Sequence, residues 1–252
     1  MKNIMYSDYR QLLYNSYFSN HNYKQISLED VLKSRKYYND YFLSRLLPEN
    51  KDIKILDLGC GYGSMLASLQ GLGYSNFTGV DSSQEAIHLL RSTDLGDRVI
   101  ESQIIEFLEN SLEQKLTWDV VLAIDVLEHF NKNELVHILC LLKKIIKPTG
   151  SLIIKIPNMQ SPFLSGEIAF GDFTHEIYVT PVSLSQVLNA CGFHSIKSYE
   201  ASPISYTFIS TIRDLFWKII RVFYNFIYAI ETGKFDNSMI WSRSFFAVAR
   251  NN

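Results

Sequence analysis

The sequence is short of charge and of cysteine. Asp, Glu, Lys and Arg make up 20% of its 252 residues and nearly cancel, leaving a net charge of −2, against about a quarter charged in an average domain. So balanced a chain lacks the basic footprint of a protein that grips phosphates, and no nucleic-acid partner is expected. Its three cysteines, Cys60, Cys140 and Cys191, are odd in number and widely spaced. They offer neither a disulfide framework nor paired metal ligands, which makes a reducing cytoplasm the natural compartment. An apolar run able to cross a bilayer is also missing. Residues 204–230 come nearest, but Arg213, Asp214, Lys218 and Arg221 interrupt them, and a charge-free stretch of about 18 residues is never reached. The first eight residues turn polar before any run of secretory length, so no signal peptide is read there. Aromatics replace the missing charge: of 15 Tyr and 16 Phe, ten fall in the first fifty positions and eleven between Tyr199 and Phe246.

From Asp52 to Pro157 short apolar runs alternate with helical patterns, the signature of a doubly wound parallel sheet. Strands are expected at Ile53–Leu58, Phe77–Asp81, Arg98–Glu101, Trp118–Ile124 and Ser151–Ile156, with helices over Met65–Leu72, Gln84–Arg91 and Glu134–Ile146. Pro148 should end the last of these and Gly150 supply the turn into the fifth strand. Beyond a Ser-, Pro- and Gly-rich loop, residues 158–181, come a helix at Val182–Ala190 with Gly192 at its C-terminus, strands at Phe193–Tyr199 and Ser244–Ala249, and a helix at Tyr206–Ala229 between them. Asp214, Lys218, Arg221 and Asn225 share one face of that last helix. Its apolar face is expected to cover the core or a subunit interface, with a lipid surface as the alternative.

The informative stretch is Asp57-Leu58-Gly59-Cys60-Gly61-Tyr62-Gly63-Ser64, where a buried strand runs through three alternating glycines into a helix. Such a turn brings backbone close to a ligand at a helix N-terminus. A dinucleotide fingerprint would place glycine at position 64, and a P-loop would follow with lysine; neither is present. Asp57 would repel a pyrophosphate but suit a cationic ligand. Asp81 closes the second strand, where a carboxylate can accept from both hydroxyls of a ribose. Asp57–Gly63, Asp81, Trp118-Asp119-Val120-Val121 and Leu127-Glu128-His129 together resemble the class I S-adenosylmethionine-dependent methyltransferases. The resemblance implies a Rossmann-like, seven-stranded doubly wound α/β sheet, mostly parallel with the last strand antiparallel. It also implies an N-terminal helical lid over residues 1–50, S-adenosylmethionine as methyl donor and S-adenosylhomocysteine as product. By it, Asp57, Gly59, Cys60, Gly61 and Gly63 hold the methionine part, Asp81 the ribose with Ser82 beside it, and Gln103 the adenine amino group, where the family usually has aspartate. Tyr6 or Tyr14 of the lid would reach the pocket, with Arg35 directed to the methionine carboxylate.

Segments further on, among them Gly171-Asp172-Phe173-Thr174-His175-Glu176 and Glu231-Thr232-Gly233, are similar to methyltransferases of bacterial capsule and O-antigen pathways. That likeness implies a cytoplasmic enzyme, without a spanning segment but able to sit at the inner membrane face, that O-methylates a sugar hydroxyl or a phosphate-type group of a surface glycan. N-methylation of a small metabolite and a non-catalytic adaptor for a partner or lipid-linked glycan are the alternatives. A sugar hydroxyl needs a general base, and His175, in a polar loop after the fifth strand, is the candidate. His129 and Asp125 complete the catalytic set. Asp125-x-x-Glu128-His129 with His175 also resembles the metal-binding set of small-RNA 2′-O-methyltransferases and some ubiquinone-pathway O-methyltransferases. A divalent ion there is set against a metal-free site, because Leu-Glu-His is common in metal-free members and the first acid is Asp rather than Glu.

Overall fold

The computed structural model describes residues 28–251, together with Tyr9 and Leu13. Helix α1 (Leu28–Leu46) leads into β1 (Ile55–Leu58), α2 (Ser64–Gly71), β2 (Phe77–Asp81), α3 (Gln84–Arg91), β3 (Val99–Glu101), α4 (Ile104–Glu113) and β4 (Trp118–Ile124). A 3-10 turn at Leu127–His129 precedes α5 (Lys132–Ile145) and β5 (Ile146–Pro157). Then follow α6 (Ser165–Phe170), α7 (Pro181–Ala190), β6 (His194–Glu200), α8 (Phe208–Thr232) and β7 (Ser244–Arg250). The seven strands lie in the order β3-β2-β1-β4-β5-β7-β6. Strands β1 to β5 pair in parallel, and β7 runs antiparallel to both β5 and β6. The doubly wound α/β sheet with one antiparallel strand is thus as expected.

The strands read as unbroken apolar runs because helices cover both faces. Leu56, Val121, Ala123, Leu152 and Ile154 join one buried cluster, with Leu139 and Leu142 of α5. Their neighbours Ile55, Val120, Leu122 and Ile153 join the other, with Phe42 and Leu43 of α1 and Leu66 and Leu69 of α2. Side chains alternate faces along a strand, so each buried run feeds both layers. Helix α1 is tied to this core: Phe42 stacks on Phe246 at 4.4 Å, and the buried Asn39 amide donates to the Ser64 carbonyl at 3.1 Å.

Some boundaries differ from the sequence reading. Helix α5 begins at Lys132 because Asn131 caps it, its side chain accepting from Glu134 N while Glu134 reaches back. Helix α4 was not anticipated. Strand β5 starts at Ile146, before the turn assigned to Pro148 and Gly150: Trp118 faces Ile146 and Val120 faces Ser151, so residues 147–150 bulge from the ladder. Lys147 binds the Asp119 carboxylate there at 2.8 Å, and a Cβ on Gly150 would meet the Asp119 carbonyl at 2.7 Å. Cys140 and Cys191, distant in sequence, bring their sulfurs to 4.0 Å with both thiols free.

Of the expectation that the apolar face of α8 covers the core or a subunit interface, the structure overturns the first part. The side turned to the domain is polar. Trp217 Nε1 donates to Glu200 at 2.7 Å, Arg221 pairs with Glu200 at 3.2 Å, and Trp241 Nε1 donates to Asn225 at 2.7 Å. The apolar residues point outward. No described helix is long and apolar enough to cross a membrane.

Candidate active site

The chain winds outward from β1 through β3, then returns to β4, so β1 and β4 are neighbours whose connections leave in opposite directions. A crevice opens at the carboxyl ends of such strands. The glycine loop fills its near wall. Gly59, Gly61 and Gly63 all have left-handed backbones, with φ of +70°, +50° and +75°. At Gly59 even a methyl group is barred, because a Cβ would lie 2.5 Å from Val126 Cγ2. Asp81 latches the loop: its carboxylate accepts from Gly61 N and Ser83 N, each at 2.8 Å.

A cavity of about 210 Å³ follows this loop, lined by Gly59, Gly61, Asp81, Ser82, Gln103 and Asp125, with Ser83, Ile104, Val126, His129 and Phe130 completing the wall. Gly63 and Cys60 stand behind it. Cys60 is buried in the core, where its sulfur would touch a Cβ on Gly79, and burial pushes its thiol up. Asp57 is 2% exposed, and one of its carboxylate oxygens has no hydrogen-bond partner. Burial, then the charge of Asp81, pushes its carboxyl up to about 8. A buried acid in that state is suited to a cationic group that supplies hydrogen bonds.

A second cavity, of about 490 Å³, shares Asp125 and His129 with the first and adds Arg35, Tyr38, Glu128, Lys155, His175 and Arg243. Arg35, expected to reach toward a methionine carboxylate, stands on this side. Tyr6 and Tyr14 lie outside the described residues. Asp125 has a left-handed backbone (φ +51°), a conformation asparagine and aspartate tolerate better than most. Its N–H is held by the Lys155 carbonyl at 2.9 Å, and its carboxylate pairs with the Lys155 ammonium.

Two backbone bonds bring the distant histidines together. Glu176 N and Ile177 N both donate to the Glu128 carbonyl, at 2.8 and 3.2 Å, which sets the His129 and His175 rings edge to face at 5.0 Å. Thr174 gives its only hydroxyl hydrogen to Asp172 at 2.6 Å, so at 2.8 Å His129 Nδ1 must be the donor to Thr174 Oγ1. His175 Nδ1 likewise donates to the Ile168 carbonyl at 2.9 Å. Both rings thus carry their lone pair on Nε2. Burial, with His175 alongside, lowers His129 to about 4, so this ring is neutral at neutral pH. Glu128 is buried with one carboxylate oxygen unpartnered, and burial together with Asp125 pushes its carboxyl well up.

Ligand atoms of Glu128, His129 and His175 lie within 4.8 Å of one another. One carboxylate and two lone-pair imidazoles form a donor set that fits a divalent ion. Asp125, counted with them from the sequence, is instead committed to Lys155. Tyr38, Lys155 and Arg243 escaped the sequence reading. Lys155 had a visible signal, a lone cation inside the apolar run Ile153-Ile154-Lys155-Ile156 at the carboxyl end of a strand; Tyr38 and Arg243 had none.

Residues 31–198 match the sequence model of a family described as a methyltransferase domain. The chain is 32% identical over 170 residues to the mitochondrial ubiquinone biosynthesis O-methyltransferase of Rattus norvegicus, covering 61% of this chain and 48% of that protein. It is 30% identical over 166 residues to the ubiquinone biosynthesis O-methyltransferase of Colwellia psychrerythraea, covering 62% and 65%. The matched stretch therefore spans about half to two thirds of these relatives' length. Among solved structures, a SAM-dependent methyltransferase from Archaeoglobus fulgidus superposes with a TM-score of 0.62 at 23% identity, covering 93% of this chain and 99% of that one, a likeness of fold.

Proposed function

From membership of the methyltransferase-domain family, to which this chain belongs, we propose that it transfers the methyl group of S-adenosylmethionine to an oxygen of a small acceptor bearing an anionic group. The observation that carries this reading is the buried Asp57 behind the glycine loop, one of whose carboxylate oxygens has no hydrogen-bond partner. Nothing in the core needs an acid there, whereas the donor's ammonium supplies the missing hydrogen bonds and charge. Asp81 keeps lone pairs for ribose hydroxyls beyond its two loop bonds, and Gln103 opens α4 at the adenine end of the same cavity. The sulfonium supplies an activated methyl group, and the rest is alignment and exclusion of water.

Asp125 and His129, common to both cavities, mark where donor and acceptor meet. There His175, held by the Ile168 carbonyl with Nε2 as its basic nitrogen, takes the acceptor's hydroxyl proton as the oxygen bonds to the methyl carbon and the carbon–sulfur bond breaks. Arg35 and Arg243 supply cations for a phosphate or carboxylate. Their presence favours a sugar hydroxyl or phosphate-type group of a nucleotide-linked or glycan acceptor, in line with the capsule-type resemblance. The ubiquinone O-methyltransferase relatives and the Glu128, His129, His175 set support a second reading, a ring hydroxyl. A divalent ion on those three residues would act as a Lewis acid toward the acceptor oxygen.

Titration calorimetry with S-adenosylmethionine and S-adenosylhomocysteine tests the donor site: binding is expected for the native chain and a loss of about 100-fold for Asp81→Ala. No binding by the native chain would reject an enzyme reading in favour of an adaptor. Methyl transfer to nucleotide sugars and to catechols, before and after chelation, then separates the two acceptor classes.

A further inference from the structure

Helix α8 is turned inside out for a globular protein. Its polar stripe is bonded to the domain, while Phe208, Ile212, Phe216, Ile219, Phe223 and Phe226 face away from it, each at least 38% exposed. We propose that this face seats the protein on an anionic lipid surface, with the 25-residue helix lying in the membrane plane. At roughly 100 Å² apiece the outward side chains present on the order of 1,000 Å² of apolar surface, against about 300–600 Å² for the largest patch on a typical monomer. So large a face calls for a cover.

Three observations choose lipid over a second copy of the chain. At 3.6 residues per turn, the outward residues from Val222 round to Ile220 span an arc of about 160°, while a helix pair engages a seam of roughly 100° or less. A second helix would leave much of that arc in water; a bilayer interface takes all of it. Next, the apolar surface passes beyond the helix. Phe163 of the loop packs on Tyr224 of α8 with ring centroids 5.7 Å apart and is itself 79% exposed. Finally, Arg213 flanks the arc on one side and Lys218, which pairs with Asp214 at 2.8 Å and is two-thirds exposed, flanks it on the other; both can extend toward lipid phosphates while their stems lie along the apolar surface. Glu231 also borders the arc, with Lys234 just past it.

The site lies close at hand. A groove lined by Tyr37, Tyr206 and Arg213 at the start of α8 shares Tyr38 and Ser202 with the larger cavity.

Flotation of the full chain with vesicles of equal parts phosphatidylglycerol and phosphatidylcholine, and with phosphatidylcholine alone, tests the proposal. Expected is co-flotation with the anionic vesicles that weakens as salt is added, and an at least tenfold loss of binding in Ile219→Asp/Phe223→Asp. Both side chains are 58% exposed, so the variant should keep the native unfolding midpoint and its affinity for S-adenosylmethionine. Absence of vesicle binding by the native chain, or binding unchanged in the variant, overturns it. A native dimer that ignores vesicles and that the variant splits into monomers would assign the face to a second copy instead.

Discussion

An acid whose carboxyl sits near pH 8 when folded and near 4 when unfolded destabilises its own protein over the interval between. Asp57 is such an acid. From about pH 4 upward the unfolded chain releases this proton while the folded chain keeps it, so the unfolded state is increasingly favoured until the folded carboxyl also ionises at about 8. Asp57→Asn removes the ionisation but keeps the shape. We expect the ligand-free variant to be more stable than the native chain by a few kcal/mol near pH 8, with about 5 kcal/mol the ceiling that a four-unit shift sets, and the difference vanishing near pH 4. It should also bind S-adenosylmethionine more weakly. Urea unfolding at the two pH values, with calorimetry alongside, checks both signs. A variant less stable at both pH values would show that Asp57 serves packing. The opposite constraint holds at Gly59, whose left-handed φ and 2.5 Å approach to Val126 leave no room for a side chain. Gly59→Ala is expected to cost about 2 kcal/mol or more in the same assay.

At the scale of elements, Glu200 at the end of β6 is what holds α8. It accepts from Trp217 Nε1 at 2.7 Å and from Trp241 N at 2.9 Å, and it pairs with Arg221. Replacing it by alanine strands two donors and a guanidinium, a loss of about 2–3 kcal/mol. Limited proteolysis should then cut within α8 of Glu200→Ala and leave the native helix intact. The same helix shows where the sequence stops being informative. Its amphipathic spacing was legible, but a periodic pattern says only that two faces differ; Glu200, Asn225 and Trp241 decide which one meets the domain, and they are far apart in the chain. The parallel strands were legible because burial on both sides leaves long runs of Val, Ile and Leu. Helix α4 was not, because Ile104-Ile105 follows Gln103 directly and looks like strand. In the site, Asp57, the glycines and Asp81 lie within one βαβ unit and could be read together. The meeting of His129 with His175 depends on two backbone bonds across more than forty positions, which no local pattern encodes. Arg35 was legible as a pocket residue but not as one that faces the second cavity.

Across the whole molecule, two cavities share one wall beside a sheet edge, and an apolar flank runs close to the larger of them. The aromatic surplus of the sequence is divided accordingly. Phe42, Phe245 and Phe246 help to build the core, while Phe208, Phe216, Phe223 and Phe226 are left outside it. Strand order adds a constraint of another kind. Strand β7 lies between β5 and β6, and it is the only described neighbour of β6. A ribosome making this chain releases β6 well before residues 244–250, so that strand waits for its partner while α8, also already out, carries its apolar face unsecured. Omitting residues 244–251 should therefore abolish cooperative thermal unfolding followed by circular dichroism, rather than merely lower its midpoint. The half of the fold that holds the glycine loop can assemble as it emerges; the half that holds the outward helix has to be chaperoned by time, or by a nearby surface, until the seventh strand arrives.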